Sequence, residues 1–331
     1  MTVCCRLSIR FFNPDSPNLP MRRRSRSTPR GEHRAVLLDE VLAALGPQPG
    51  QIAVDCTVGW AGHAAELLGR LGPDGLLIGM DLDAGNLPTA RERLIVVGYP
   101  FHLHHGNFAG LPQALGEHGL TQADMVVADL GMSSMQVDDP ARGFSYRRDG
   151  ALNMRMDQSR GKTAAQILAT IDEAELAQAL RELGDEKAAE RIAATIVAAR
   201  NASPPQTTAD LARLIQDATG QADWRLHPRP GEWNLHPAAR TFQALRILVN
   251  RELQNLDHLL RVLPVCLKPS GRAAIISFHS GEDRLVKAAF RAGERTGVYA
   301  RLSTDPVRAG PAERLSNPRS RSAKLRWAIR R

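Results

Sequence analysis

Four short apolar runs in the first 130 residues each end on an acid or a glycine. They are Ile52–Asp55, Leu76–Asp81, Phe101–Gly106 and Met125–Asp129. Between them lie segments of helical composition at Ala61–Leu71, Leu87–Val97 and Leu111–Gly119. Strand–helix alternation of this kind folds into a parallel sheet with helices on both faces. Ahead of it, Val36–Leu42 has helical periodicity and stops at Gly46-Pro47.

After Asp129 the rhythm breaks. Residues 138–235 contain no clear strand but do contain amphipathic helices, at Glu173–Leu183, Glu186–Arg200 and Ala209–Ala218. A single long helix is expected over Pro237–Leu263, with Phe242, Leu245, Val249, Leu253, Leu256, Leu260 and Leu263 on one stripe. Gly271–Phe278 returns as a buried strand, and Val298–Ser303 and Ala323–Ile329 complete the sheet. The reading is an α/β, doubly wound Rossmann-like sheet over 32–137 and 236–331. A helical insertion at 138–235 interrupts it, and a disordered basic tail at 1–31 precedes it.

Charge is placed at the two ends. Residues 1–30 hold seven Arg and one acid, and residues 314–331 hold seven basic residues and no acid. The chain's net +8 therefore leaves −5 for residues 31–313. Basic ends suit contact with a polyanion. An Arg-rich composition without that meaning stays equally open, since only five of the 43 basic residues are Lys. No stretch approaches the ~18 apolar residues of a membrane span, nor the ~7–15 of a secretory signal. The four cysteines show neither zinc-ligand spacing nor a disulfide framework. A reducing cytoplasm, no membrane and no metal are expected. His102 and His104 share a strand face, as alternation readily produces.

The first strand runs into Asp55-Cys56-Thr57-Val58-Gly59-Trp60-Ala61-Gly62-His63, which opens a helix. Glycines there admit a ligand close to the backbone, and a helix N-terminus offers free N–H groups. Asp81, 22 residues after Gly59, suits ribose hydroxyls. That pattern serves NAD equally well. Asp55 crowds a pyrophosphate but suits a sulfonium or ammonium. Asp129-Leu130-Gly131-Met132-Ser133-Ser134 puts polar groups where a reacting group would sit. A methyltransferase, a dinucleotide enzyme and a phosphate-binding turn all remain open on these residues.

Further segments read as neither plain strand nor plain helix starts. They are Arg142–Tyr146, Asp149–Asp157, His236–Gln243, Ile275–Arg284 and Asn317–Arg326. With His33–Glu40 and the Asp55–His63 loop, they resemble the RsmH (MraW) family from about His33 to Arg326. The resemblance implies a class I S-adenosylmethionine-dependent methyltransferase fold with a helical insertion that helps hold RNA. It also implies N4-methylation of a cytidine in the decoding centre (P site) of 16S rRNA, with the small ribosomal subunit as partner, and it admits a homodimer. Matched motif by motif, Ala61, Gly62 and His63 line the cofactor loop, Asp81 takes the ribose and Phe108 the adenine, and Asp129 and Gln136 border the cofactor. The family's Gly-Gly-His-Ser is Ala61-Gly62-His63-Ala64 here, and its Phe-His-Ser-Leu-Glu-Asp-Arg is Phe278–Arg284 with Gly281 for Leu. An alanine is comfortable only at negative φ, which puts the role of Ala61 in question.

Methylating an exocyclic amine needs hydrogen-bond acceptors, because the lone pair is delocalised into the ring. Asp129, Ser133 and Ser134 are the expected catalytic acceptors, with Phe278 or Tyr146 offering a ring to an unstacked base. Cys56 and Cys266 read as buried structural thiols. The alternative function is an RNA-binding ribosome-assembly factor that keeps the fold without catalysis.

Overall fold

The apolar runs become strands: β1 (Ile52–Asp55), β2 (Leu76–Asp81), β3 (Phe101–His105), β4 (Ala123–Asp129), β5 (Leu267–Ser277), β6 (Tyr299–Leu302) and β7 (Lys324–Arg330). The computed structural model describes residues 35–200, 202–221 and 236–331. The expected tail over 1–31, with Cys4 and Cys5, and the motif residue His33 lie outside the described residues. In the sheet the order is β3-β2-β1-β4-β5-β7-β6. Strands β1 to β5 pair in parallel, while β7 runs antiparallel to both neighbours. The order reverses between β1 and β4, which is where an open α/β sheet forms a ligand crevice. This is the class I methyltransferase sheet.

Helices α1 (Leu38–Leu45), α2 (Gly62–Leu71), α3 (Leu87–Val97), α4 (Leu111–Gly116) and α5 (Ser134–Asp138) accompany the first half. Then follow α6 (Ala164–Leu168), α7 (Glu173–Gly184), α8 (Ala189–Arg200), α9 (Thr208–Thr219) and α10 (Ala239–Asn250). The chain closes with α11 (Glu252–Cys266), α12 (Ser280–Arg295) and α13 (Pro311–Ser316).

Each strand residue faces the opposite side from the next. Ala53 therefore joins Leu67, Leu68 and Leu94 on one face, while Val54 joins Leu111, Leu256 and Leu263 on the other. With both faces covered, the strands read as unbroken apolar runs. A third core gathers Leu168, Leu176, Leu180, Ile192, Ile196 and Leu211 from α6 to α9. Phe242 and Leu245 of α10 belong to this third core, although a boundary at 235/236 assigns them to the sheet unit.

The single helix expected over Pro237–Leu263 is two helices. Arg251 takes a left-handed backbone (φ 52°) and ends α10. The Asn250 amide donates to the carbonyls of Met154 and Arg246 (both 2.8 Å) and accepts from the Met156 N–H (2.7 Å). The apolar stripe is real but divides between two cores, since Phe242 and Leu245 face the helices and Leu256, Leu260 and Leu263 face the sheet. On the edge strand β3, His102 stacks on His118 at 3.9 Å and His104 contacts His118 through the Nε2 atoms at 2.8 Å.

Candidate functional site

A cleft opens at the C-terminal ends of β1, β2 and β4, with about 940 Å³ of empty space including its mouth. One wall is the turn that follows β1. Gly59 sits at φ 50° and its N–H donates to Asp81 Oδ2 (2.7 Å). Helix α2 begins at Gly62 with no side-chain cap, so the first-turn N–H groups are free for an anionic ligand. Gly62 and His63 line the cleft, and the His63 ring Nε2 lies 2.9 Å from the Val36 carbonyl. Ala61 stands at φ 60°, ψ 34°, fully buried in the core beneath the turn rather than in the wall. It accepts the left-handed backbone at a cost of about 1–2 kcal/mol.

Asp81 and Phe108 both line the cleft. The carboxylate of Asp81 is tethered on both oxygens, to Gly59 and, through Oδ1, to the Asp83 N–H (2.7 Å). Oδ1 also accepts from the Asn86 amide (3.3 Å), so Oδ2 is the oxygen that keeps a second lone pair for a ligand hydroxyl. Burial raises Asp81 above the usual carboxylate range.

Asp129 closes the other end. Its Oδ1 accepts from Gly131 N–H (3.2 Å), its own N–H donates to Thr57 Oγ1 (2.7 Å), and Oδ2 has no donor among the described residues. Arg319 shares this wall, where burial pulls its guanidinium down and Asp129 opposes that. Ser133 and Gln136 line the cleft but are engaged with each other in the capping box of α5. The Ser133 hydroxyl takes the Gln136 N–H as a helix cap. Ser134 is the first residue of α5, and its side chain lies outside the described residues. Neither Phe278 nor Tyr146 is in the wall. Phe278 packs over Gly131, where a Cβ would come within 2.6 Å of its ring, and Tyr146 stacks on His236 at 4.5 Å. Trp60 is the aromatic side chain besides Phe108 that lines the cleft.

Asp55 lies below the floor, 2% exposed, with Oδ1 accepting from Thr57 N–H (3.0 Å). Burial raises its pKa from 3.8 to about 6, with His63 working the other way. Because the folded value is the higher one, the stabilisation from a protonated Asp55 is full below about pH 3.8 and is lost as pH rises through about 6. Asp55→Asn should therefore gain on the unaltered protein by about 3 kcal/mol across that interval. Urea unfolding at pH 4.5 and pH 8 samples about 2 kcal/mol of it, and a difference between the two proteins that does not widen with pH would remove the buried charge from consideration. The Cys56 and Cys266 thiols are both buried and pushed up, Cys266 to about 11, so neither is a nucleophile at neutral pH.

Several motif residues that lacked a structural reading have one. Arg142 is a buried clamp. It donates from Nη1 to Asp83 Oδ2 (2.6 Å) and from Nη2 to the carbonyls of Arg155 (3.1 Å) and Met156 (2.9 Å). Asp83 Oδ2 also takes the Gln136 amide (2.9 Å), joining the turns after β2 and β4. The Phe278–Arg284 segment is a helix start after all, since Glu282 Oε2 accepts from Phe278 and His279 N–H (2.8 and 3.3 Å). Asp283 takes Arg326 (2.7 Å) and Lys324 (3.2 Å) of β7. Glu252 and Glu282 reach the cleft, where donor atoms of Glu252, His279 and Glu282 lie within 4.8 Å of one another. Arg246 is paired to both oxygens of Glu252 at 2.8 Å.

The family model described as the MraW methylase family matches residues 30–331. A relative called Ribosomal RNA small subunit methyltransferase H, from Geobacter sp. (strain M21), is 46% identical over 309 residues, covering 89% of this chain and 97% of its own. A relative of the same name from Sorangium cellulosum (strain So ce56) is 45% identical over 303 residues, covering 91% of this chain and 92% of its own. No described helix is long and apolar enough to cross a membrane. With the family model matched along the whole described sheet and helices, and these relatives aligned nearly end to end, the chain belongs to the MraW methylase family.

Proposed function

We propose that this chain methylates N4 of a cytidine in the decoding centre (P site) of bacterial 16S rRNA, in the cytoplasm, using S-adenosylmethionine. The carrying observation is that one cleft holds an uncapped helix N-terminus, a ribose-suited carboxylate and a second carboxylate with an open oxygen. The names of the relatives supply the rRNA class. The donor set fits the cofactor: the α2 N-terminus would take the amino-acid carboxylate, Asp81 the ribose hydroxyls and Phe108 the adenine face. When bound, S-adenosylmethionine supplies an electrophilic methyl on sulfonium sulfur. Gln136 and Ser133 fix the turn that carries Asp129.

Asp129 Oδ2 accepts a hydrogen bond from the cytosine amine, which localises the nitrogen lone pair and holds it in line. Methyl transfer would form the N–CH3 bond as the S–CH3 bond breaks, with that bond's electron pair staying on sulfur, while the amine sheds a proton to the Asp129 carboxylate and then to water. The helical unit of α6 to α9 and the basic C-terminal segment hold the RNA around the reacting nucleotide. Incubating the protein with radiolabelled S-adenosylmethionine and small subunits from a strain lacking it should yield labelled N4-methylcytidine. Label in 5-methylcytidine, or none at all, would overturn the reading.

Asp81→Ala should weaken S-adenosylmethionine binding by about 10- to 150-fold, the equivalent of about 1.5–3 kcal/mol for hydrogen bonds to a charged group. Calorimetric titration checks it, and unchanged affinity would take Asp81 out of the site.

A further inference from the structure

Beside the cleft lies a second cavity of about 1750 Å³ including its mouth. The two are neighbours along the same chain segments. Leu82 lines both; Met156 and Glu252 face the first, while Arg155, Asp157 and Arg251 face the second. The partition is built on strained backbone. Met154 (φ 60°) and Arg251 (φ 52°) are both left-handed without being glycine, and the Asn250 amide ties their two segments together. Strain of this order is kept where surrounding structure enforces it, and it clusters at binding sites.

The second cavity is basic within an acidic body. Its wall carries four cations, Arg155, Arg160, Lys162 and Arg251, against Asp157 and Glu175, whereas residues 31–313 sum to −5. Arg160 is committed to Asp157 (2.7 Å), and Arg155 to Asn153 Oδ1 (2.9 Å) and nearby carbonyls. Lys162 and Arg251 are exposed and have no ion pair among the described residues. Among the described residues no aromatic ring lines this cavity. It offers cations, amides and aliphatic side chains, which suit phosphates and sugars.

We propose that the second cavity is a groove for the sugar–phosphate backbone of single-stranded RNA, flanking the nucleotide whose base enters the cleft. The proposal rests on the methyltransferase reading above and specifies where its substrate strand runs. Two cations without ion pairs set the strand's position, and the partition between the cavities separates backbone from base.

The test is a pair of substitutions that spare the fold. Arg251→Gly removes a charge at a position where glycine is the more comfortable residue, and Lys162→Ala removes an exposed one. Binding of a fluorescein-labelled single-stranded RNA 12-mer is followed by anisotropy over a range of salt concentrations. With two fewer phosphates neutralised, the slope of log affinity against log salt should flatten by about 1.4. S-adenosylmethionine affinity should stay unchanged, and the thermal transition should not fall. Arg91→Ala with Arg291→Ala, exposed cations away from the groove, should leave the slope as it was. An unchanged slope in the groove variant, or no RNA binding by the unaltered protein at low salt, would overturn the groove. So would equal displacement of the RNA by poly-glutamate, lost in the same variant, which points to an acidic protein partner. A flattened slope in a protein that transfers no methyl group leaves the groove standing and sinks the catalytic reading. An unchanged slope with rRNA methylation intact does the reverse.

Discussion

Asp129→Ala is expected to slow single-turnover methyl transfer by about 10²–10³, the usual cost of removing one oriented polar group from a transition state. The amine's lone pair becomes available only as its nitrogen turns tetrahedral, so an acceptor on its proton is worth most at that moment. RNA affinity should barely move, because phosphate contacts elsewhere dominate it. Asp129 also receives the Gly131 N–H, so a collapsed turn could imitate a catalytic loss. Asp129→Asn separates the two: its amide oxygen can still take the Gly131 N–H, while its NH2 points a donor at the substrate amine. A slow asparagine variant with normal S-adenosylmethionine binding marks the carboxylate as the acceptor. Near-normal rates in both variants would move the chemistry to another residue.

Arg142→Ala should cost about 3–5 kcal/mol of stability, the range for removing one partner of a buried ion pair. Asp83 is 6% exposed and, among the described residues, would keep the Gln136 amide and the Gly85 N–H. The carbonyls of Arg155 and Met156 would lose their donors as well. Most of that penalty comes from the stranded carboxylate, so Arg142→Ala with Asp83→Ala should be less than additive. Chemical denaturation of the two single variants and the double variant measures it. A cost under about 1 kcal/mol for Arg142→Ala would place the pair effectively in solvent.

The sheet was legible because buried parallel strands announce themselves as apolar runs, and because β1, its glycine turn and Asp81 fall within one βαβ unit. Asp129 was legible for the same reason, as the residue ending an apolar run. Arg142 and Asp83 stand 59 positions apart, and no periodicity connects an arginine in a loop to a carboxylate after a strand. The break at Arg251 left no trace in the apolar stripe, because both halves needed apolar residues, each for a different core. Ser133 and Gln136 read as site residues, yet their polar atoms serve the helix cap and Asp83; a cap and a catalytic acceptor use the same residue types. His279 and Glu282 likewise form a capping box, hidden because histidine is an uncommon cap. Ala61 shows that an alanine can hold the left-handed backbone that suits glycine.

Strands β4 and β5 are neighbours in the sheet, yet Leu267 comes 138 positions after Asp129. During synthesis β4 therefore has a partner on its β1 side only. At about 5–20 residues per second, roughly 7–28 s pass before β5 begins to emerge. Through that interval Met125–Ala128, an apolar segment, presents an unpaired edge of the kind that templates aggregation. The helices of the third core have mostly local partners and can form meanwhile. The nascent chain thus holds a half-finished sheet beside a finished helical unit, and its yield in cells should depend on how well that edge is shielded until the last 65 residues arrive.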